Sequence, residues 1–367
     1  MPETGNVVLA INAGSSSVKF ALYRIVGNKE ILLFSGTNEN LPSNVSLADW
    51  LPKQPGFEKV NAIGHRVVHG MNHTRPELIT PSLIKELKTL VTFDPEHLPA
   101  EIKLIEEFIE AFPAIKQIAC FDTMFHQTIP KVAYTLPIPR KFQQKGLRRY
   151  GFHGISYQYL TEELKQLTQD SQLNNRVVMA HLGSGASLAA IKDGKSIDTS
   201  MGFTPSAGIP MSTRSGDIDP GIASFLMQQE KLSAQQFNHL VNHESGLLGV
   251  SGISADISKL LKIKATDEYA AEAIDLFCYQ TSKYIGAYAV ALGGIDTLVF
   301  SGGIGEHLPE IRAQICHNLG FLGIELDNDK NSNNAAIISN GKTLVRVITT
   351  NEALMMARLI TSAMINN

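Results

Sequence analysis

The chain is short of the features that mark several protein classes. It has three cysteines, Cys120, Cys278 and Cys316, far apart and odd in number. That argues against a disulfide framework or a zinc site and suits reduced core thiols in a cytoplasmic protein. It has no excess of either charge: 32 Lys and Arg stand against 35 Asp and Glu, a formal net charge of -3. Such a balance gives no general pull toward nucleic acid or an anionic membrane. No long apolar run is present; the most apolar stretch, 284–300, is broken by three glycines and Asp296. It is too interrupted to span a bilayer. The first six residues show no basic region leading into an apolar stretch, so no secretory leader is expected. With 44% hydrophobic and 18% charged residues, the composition is that of a globular protein. A length of 367 residues favours two domains.

What the chain does have is an internal echo. Residues 6–17 read NVVLAINAGSSS, and residues 176–187 read RVVMAHLGSGAS. Each is an apolar run that fits a buried strand, followed by a turn of small residues. Val18, Phe20 and Leu22 then alternate with Lys19, Ala21 and Tyr23, as in a half-buried strand, and Gly27-Asn28 offers a turn. In the second copy Asp193-Gly194 is a strong hairpin signal. Helices are expected at 81–91, 99–112, 154–167, 233–243, 266–292 (capped by Thr266), 309–319 and 351–365. The polar stretch 328–334 reads as an exposed loop. Strands alternating with helices in two similar halves predict a duplicated α/β fold with a cleft between the halves.

Backbone amides in small-residue turns can approach phosphate oxygens closely. Ser15 and Ser17 add hydroxyl donors to the first turn, and Lys19 adds a cation. A third turn, Ser301-Gly302-Gly303-Ile304-Gly305-Glu306-His307, follows the apolar run 298–300 and enters a helix, whose first amides favour anions. None matches the Walker or the dinucleotide glycine pattern. Arg66 lies in a strand-like apolar run, where a guanidinium needs an anion, either a structural ion-pair partner or a ligand. Asp122 lies just beyond Ile118, at a strand end, a position for metal or proton chemistry and equally for helix capping. His153 stands between Gly151-Phe152 and Gly154, as a turn histidine or a functional one, and Arg214 sits in a polar loop. Phosphate cradles, two arginines, a histidine and a carboxylate are what phosphoryl transfer to an anionic acceptor needs.

These segments together resemble the acetate kinase family of short-chain carboxylate kinases. The resemblance runs over residues 8–358 through INAGSSSVK at 11–19, GHRVVHG at 64–70, FDTMFHQ at 121–127 and YGFHG at 150–154. It continues through DTSMGFTP at 198–205, TRSGDIDP at 213–220, SGGIGE at 301–306 and TNE at 350–352. It implies two actin-like (ribonuclease H-like) α/β domains around a nucleotide cleft: residues 1–149, onto which the helix 351–367 can pack back, and a nucleotide-binding, dimerising domain at 150–350.

By that resemblance Asn12 and Glu352 hold Mg²⁺, for which Mn²⁺ can substitute. Arg66 binds the acyl carboxylate, Asp122 is the catalytic carboxylate, and His153 and Arg214 stabilise the transferring phosphoryl group. Ser15, Ser17 and Lys19 form one ATP-binding loop, and His181, Leu182, Gly183, Ser184 and Gly185 form the second. Asp256, Ile257 and Ser258 line the nucleoside with Gly303, Ile304, Gly305, Glu306 and His307. Val68, Phe152 and Pro205 wall the acyl pocket. The chain departs from the family at Ser184, Ser258 and His307, where Asn, Arg and Asn are usual, at Ser206-Ala207 for Leu-Glu, and at Glu96, where an apolar pocket residue is usual. The implied protein is a cytoplasmic, homodimeric, Mg²⁺-dependent acetate kinase. A propionate or other short-chain carboxylate kinase, and a non-catalytic nucleotide-binding relative of actin and chaperones, are the alternatives.

Overall fold

The computed structural model describes residues 5–14, 17–27, 29–40, 45–168 and 176–366. Ser15 of the first small-residue turn and Asn28 of the first hairpin lie outside the described residues. The chain divides into two compact units. One comprises Met1–Gln127, Gly154–Tyr159 and Asn351–Asn367; the other comprises Thr128–His153 and Leu160–Thr350.

The first unit is built on β1 (Asn6–Ala13), β2 (Val18–Val26), β3 (Lys29–Thr37), β4 (Val60–Val67), β5 (Glu77–Leu78) and β6 (Lys116–Phe121). Their order in the sheet is β3-β2-β1-β4-β6-β5. The first three strands form an antiparallel meander, whereas β1, β4 and β6 are parallel. Parallel neighbours need a crossover, and the helices Pro81–Leu90 and Leu98–Ala111 lie between β4 and β6 in the chain. Both faces are covered, which is why β1 is apolar from Val7 to Ile11. Val8 and Ala10 belong to a core shared with Met355, Met356 and Ile360 of the C-terminal helix Glu352–Asn366. Val7, Leu9 and Ile11 belong to the opposite core, with Leu51, Phe57 and Phe108.

The second unit repeats the plan with β7 (Arg176–Leu182), β8 (Ala186–Lys192), β9 (Lys195–Thr199), β10 (Thr297–Ser301) and β11 (Leu344–Val347). Its order is β11-β10-β7-β8-β9. Read from the other edge, this is the order of β3-β2-β1-β4-β6, with the same parallel and antiparallel pairings. The echo in the sequence is therefore a repeated topology. The hairpin between β8 and β9 turns at Asp193 and Gly194, with φ of 51° and 75°, as the two-residue turn requires.

Two local expectations are corrected. The long helix runs Glu268–Leu292, and its cap is Asp267, whose carboxylate accepts from the Ala270 amide at 2.8 Å. Thr266 instead donates to the Ile263 carbonyl. The stretch 328–334 is not simply an exposed loop. It contains a short helix, Asn328–Ser332, and Asn331 is buried because it accepts from Arg312 Nε at 2.8 Å. Polar composition alone did not separate a solvated loop from one packed on a buried cation. The three cysteines are free and buried. Among the described residues no helix is long and apolar enough to cross a membrane.

His65 is a buried group on β4. Its Nε2 lies 2.8 Å from Gln117 Oε1, its Nδ1 has no hydrogen-bond partner, and burial pushes its pKa from 6.5 down to about 4. The unfolded chain therefore binds a proton that the folded protein refuses between those two values. Stability should fall as pH drops from about 6.5 to about 4, by on the order of 2–3 kcal/mol. A His65→Gln variant, followed by thermal unfolding over that range, should show a shallower decline than the wild type.

Candidate active site

The parallel strands of the first unit bring three chemistry-bearing positions to one edge. Asn12 is near the end of β1, Arg66 near the end of β4, and Asp122 immediately after β6. The carboxyl ends of parallel strands are where α/β sheets bind ligands. Ile11 pairs with His65 and Arg66 with Cys120, so the register brings the three strand ends level. Arg66 Nη2 donates to Asp122 Oδ2 at 2.8 Å, in an ion pair whose carboxylate is fully buried. Arg66 Nη1 reaches Asn12 Oδ1 and the Ala13 carbonyl at 3.5 Å, while Asn12 Nδ2 donates to Glu352 Oε2 at 2.6 Å. Residues from the two ends of the chain thus meet, because the C-terminal helix begins beside β1.

The guanidinium is held above its usual pKa. Burial works against the charge, but Asp122 and then Glu352 outweigh it. Arg66 Nε is buried and has no hydrogen-bond partner. An unpaired buried donor costs roughly 1–3 kcal/mol unless a ligand satisfies it. Asp122 is positioned through Gly154: the Gly154 amide donates to the Asp122 carbonyl at 2.9 Å, and the Ile155 amide lies 3.4 Å from its Oδ1. Ser17 is half-buried, and its carbonyl accepts from the Gly14 amide at 2.9 Å. Lys19 is exposed on β2, opposite Asn12 in the register. Val68 is buried, and its amide donates to Glu101 Oε2 at 3.0 Å.

The second unit gathers a different set. His153 adopts φ 57°, uncommon for a residue with a side chain. Its Nδ1 lies 2.8 Å from Ser187 Oγ, and its ring centroid is 4.4 Å from that of His181. A Cβ built on Gly185 would lie 3.3 Å from His153 Nε2 and 3.5 Å from Arg214 Nη1, so both side chains converge on this turn. The turn closes through Gly183 N donating to the Gly185 carbonyl, and Ser184 accepts through its carbonyl from Ser212 N. Leu182 is buried and Ser184 exposed. Arg214 Nη1 donates to the Pro205 carbonyl at 3.1 Å, and Phe152 is buried.

The third Gly-rich turn forms a short helix, Gly302–His307. Gly303 and His307 are exposed, whereas Ile304, Gly305 and Glu306 are buried. Glu306 is turned inward: its Oε1 accepts from the amides of Gly302 at 2.8 Å and Thr350 at 3.1 Å. Asp256, Ile257 and Ser258 begin another helix, with Asp256 capping the Ser258 amide.

Sequence reasoning missed three supporting side chains. Glu101 accepts from the Val68 amide, and Ser187 Oγ lies beside His153 Nδ1. Arg312 is fully buried, with Nη1 donating to the carbonyls of Gly305 and Glu306 at 2.9 and 3.0 Å and Nη2 donating to Asn331 O and Asn334 Oδ1. It pins the C-terminal end of the Gly-rich helix. Its signal was a cation one residue after the apolar Ile311 on a short helix, the same kind of signal that singled out Arg66.

A Cβ at Gly154 would clash with the Asp122 carbonyl. Gly154→Ala should therefore displace Asp122 and destabilise the protein by about 1–3 kcal/mol. Thermal unfolding of the variant beside an exposed Gly303→Ala control checks this.

Residues 47–358 match the model of the acetokinase family. The chain is 39% identical over 388 residues to a protein of Rhodopseudomonas palustris named acetate kinase, covering 96% of this chain and 97% of that one. Among solved structures it is similar to a propionate kinase from Francisella tularensis, with TM-score 0.88, 35% identity, and 97% and 99% of the two chains covered. It is also similar to Porphyromonas gingivalis acetate kinase, with TM-score 0.84, 34% identity, and 98% and 100% covered. These likenesses agree with two actin-like α/β units built on mixed sheets of one repeated order. On family model, sequence and structure together, the chain belongs to the acetokinase family of carboxylate phosphotransferases.

Proposed function

We propose that this protein is an acetate kinase, reversibly transferring the γ-phosphoryl group of ATP to a carboxylate oxygen of acetate to give acetyl phosphate and ADP. The observation that carries the reading is the buried Arg66–Asp122 pair beside Asn12 and Glu352, within a family of carboxylate phosphotransferases. A carboxylate acceptor and ATP repel each other, so cationic groups must hold the acceptor while it approaches. Arg66 suits that task. One arm of its fork is engaged by Asp122, and its buried Nε–H has no protein acceptor. The acceptor oxygen attacks phosphorus in line, the bond to the β–γ bridging oxygen breaks, and ADP leaves with that electron pair. No covalent enzyme intermediate is invoked.

Arg214 and His153, which converge on Gly185, stabilise the equatorial oxygens of the transferring group. Arg214 keeps its charge at any working pH, whereas His153 contributes direction through the Ser187 contact that orients its ring. The turn at Gly183–Gly185 offers amides to phosphate, and Asp256–Ser258 and Gly303–His307 line the nucleoside. Val68 in the first unit, and Phe152 and Pro205 in the second, are buried apolar side chains.

Mg²⁺ fits the donor set at Asn12 and Glu352, one amide and one carboxylate, both hard oxygen ligands. Among the described residues no three His, Cys, Asp or Glu side chains form a cage, so phosphate and water would complete the coordination. When bound, the ion neutralises phosphate charge. The reading extends to a cytoplasmic homodimer. The buried free thiols support that compartment, and exposed Ile222 and Phe225 on the helix Pro220–Gln229 support a second copy.

A propionate kinase is among the close structural relatives, and one methylene is worth only about 1–3 kcal/mol of discrimination. Trapping acyl phosphate with hydroxylamine, using ATP, Mg²⁺ and a panel of formate, acetate, propionate and butyrate, should give the highest kcat/KM for acetate. A higher value for propionate would reassign the substrate, and no hydroxamate from any acid would sink the reaction itself.

The two arginines should separate kinetically. Arg66→Leu should raise the acetate KM and lower kcat, with little change in the ATP KM. Arg214→Leu should lower kcat roughly 100-fold or more and leave both KM values within a small factor; His153→Ala should do the same to a lesser degree. Steady-state kinetics of folded variants in the acetyl-phosphate-forming direction make the comparison.

A further inference from the structure

Glu101 stands in the first turn of the helix Leu98–Ala111, yet it is only 3% exposed. Glutamate is rarely buried without a cationic partner. Its Oε2 accepts from the Val68 amide at 3.0 Å, and its Oε1 is buried with no hydrogen-bond partner. Val68 lies two residues beyond Arg66 on the same stretch of chain. Glu101 is thus tied to the backbone that carries the acceptor-binding arginine, although no proposed step uses it.

We propose that Glu101 is a positioning residue of the acceptor half-site, fixing the Val68 backbone and setting how freely Arg66 can engage an incoming carboxylate. The idea rests on the carboxylate kinase reading. The charged groups that face Glu101 are Arg66 from β4, Asp94 from the segment before its own helix, and Asp122 from the end of β6. Asp94 in turn pairs with His97 Nδ1 at 2.8 Å. Burial raises the Glu101 pKa; Arg66 and the Val68 amide oppose the rise, Asp94 and Asp122 add to it, and the value is pushed up to about 8. At neutral pH the side chain is therefore the uncharged acid. Arg66 then has Asp122 as its hydrogen-bonded carboxylate and Glu352 as a further anion acting on its charge, with Nε–H left for substrate. Losing the proton would add a third anion near the guanidinium, competing for it and repelling the acceptor.

The test compares wild type with Glu101→Gln, which keeps an acceptor for the Val68 amide but cannot ionise, and Glu101→Leu, which loses both. The wild-type acetate KM should rise about tenfold as pH passes from 7 to 9.5, the effect of one unit charge at intermediate dielectric, while the ATP KM stays level. Glu101→Gln should match the wild type at pH 7 and show a flat acetate profile. Glu101→Leu should have a raised acetate KM throughout. A Glu101→Gln profile that still rises like the wild type overturns the proposal, as does a Glu101→Leu variant indistinguishable from Glu101→Gln.

Thermal unfolding supplies a readout independent of activity. The folded pKa lies above the ordinary glutamate value of about 4.5, so burying the charge costs the wild type increasingly as pH rises from 4.5 to 8. Glu101→Gln should therefore gain in melting temperature over wild type across that window. Absence of that gain overturns the proposal whatever the substrate. A gain accompanied by no hydroxamate from any carboxylate instead removes the kinase reading, and the acceptor role with it, while leaving Glu101 a buried acid.

Discussion

A guanidinium inside a parallel sheet cannot be left unpaired, and much of the first unit can be read as the answer to Arg66. The residue interrupts an apolar strand buried on both sides, so an anion must be brought to it. Asp122 arrives from the neighbouring strand end at 2.8 Å, and Asn12 and Glu352 stand just beyond. Removing one partner of such a pair costs roughly 3–5 kcal/mol, which ties the ends of β1, β4 and β6 to one arrangement. The same burial that makes the pair expensive keeps its geometry fixed. For the acceptor-binding role proposed for Arg66, fixed geometry is the useful property.

The second unit meets an equivalent demand with a different device. Its Gly-rich helix, Gly302–His307, is too short to be stable alone. It is braced at both ends: Glu306 collects the Gly302 and Thr350 amides, and Arg312 collects the carbonyls of Gly305 and Glu306. Arg312 meets no carboxylate in these bonds. Its charge is spread over carbonyl and amide oxygens, and burial lowers its pKa. Glu306, which looks like a ligand contact by position, thus uses its side chain to hold the backbone.

Duplication explains why such different chemistry sits in corresponding places. Asn12 on β1 and His181 on β7 occupy matching strands, and each precedes a small-residue turn closed by a glycine amide. One copy carries the amide and carboxylate suited to a cation. The other carries histidine and arginine suited to a phosphoryl group.

The chain by itself determined the strand-turn-strand echo, because buried strands and tight turns have local signatures in apolar runs and small residues. It also marked Arg66, Asp122, His153 and Arg214, since charge amid apolar or glycine-rich sequence is visible without coordinates. The family resemblance added Asn12 and Glu352, which lie 340 positions apart and have no local signal of their own. Only the tertiary structure decided what each polar group faces. It turned Glu306 inward, buried Asn331 within a stretch that reads as a loop, and set Glu101 beneath Val68, where burial raises the pKa of an otherwise ordinary helical glutamate. Those outcomes depend on desolvation and on partners distant in the chain, and neither is written in the residues next door.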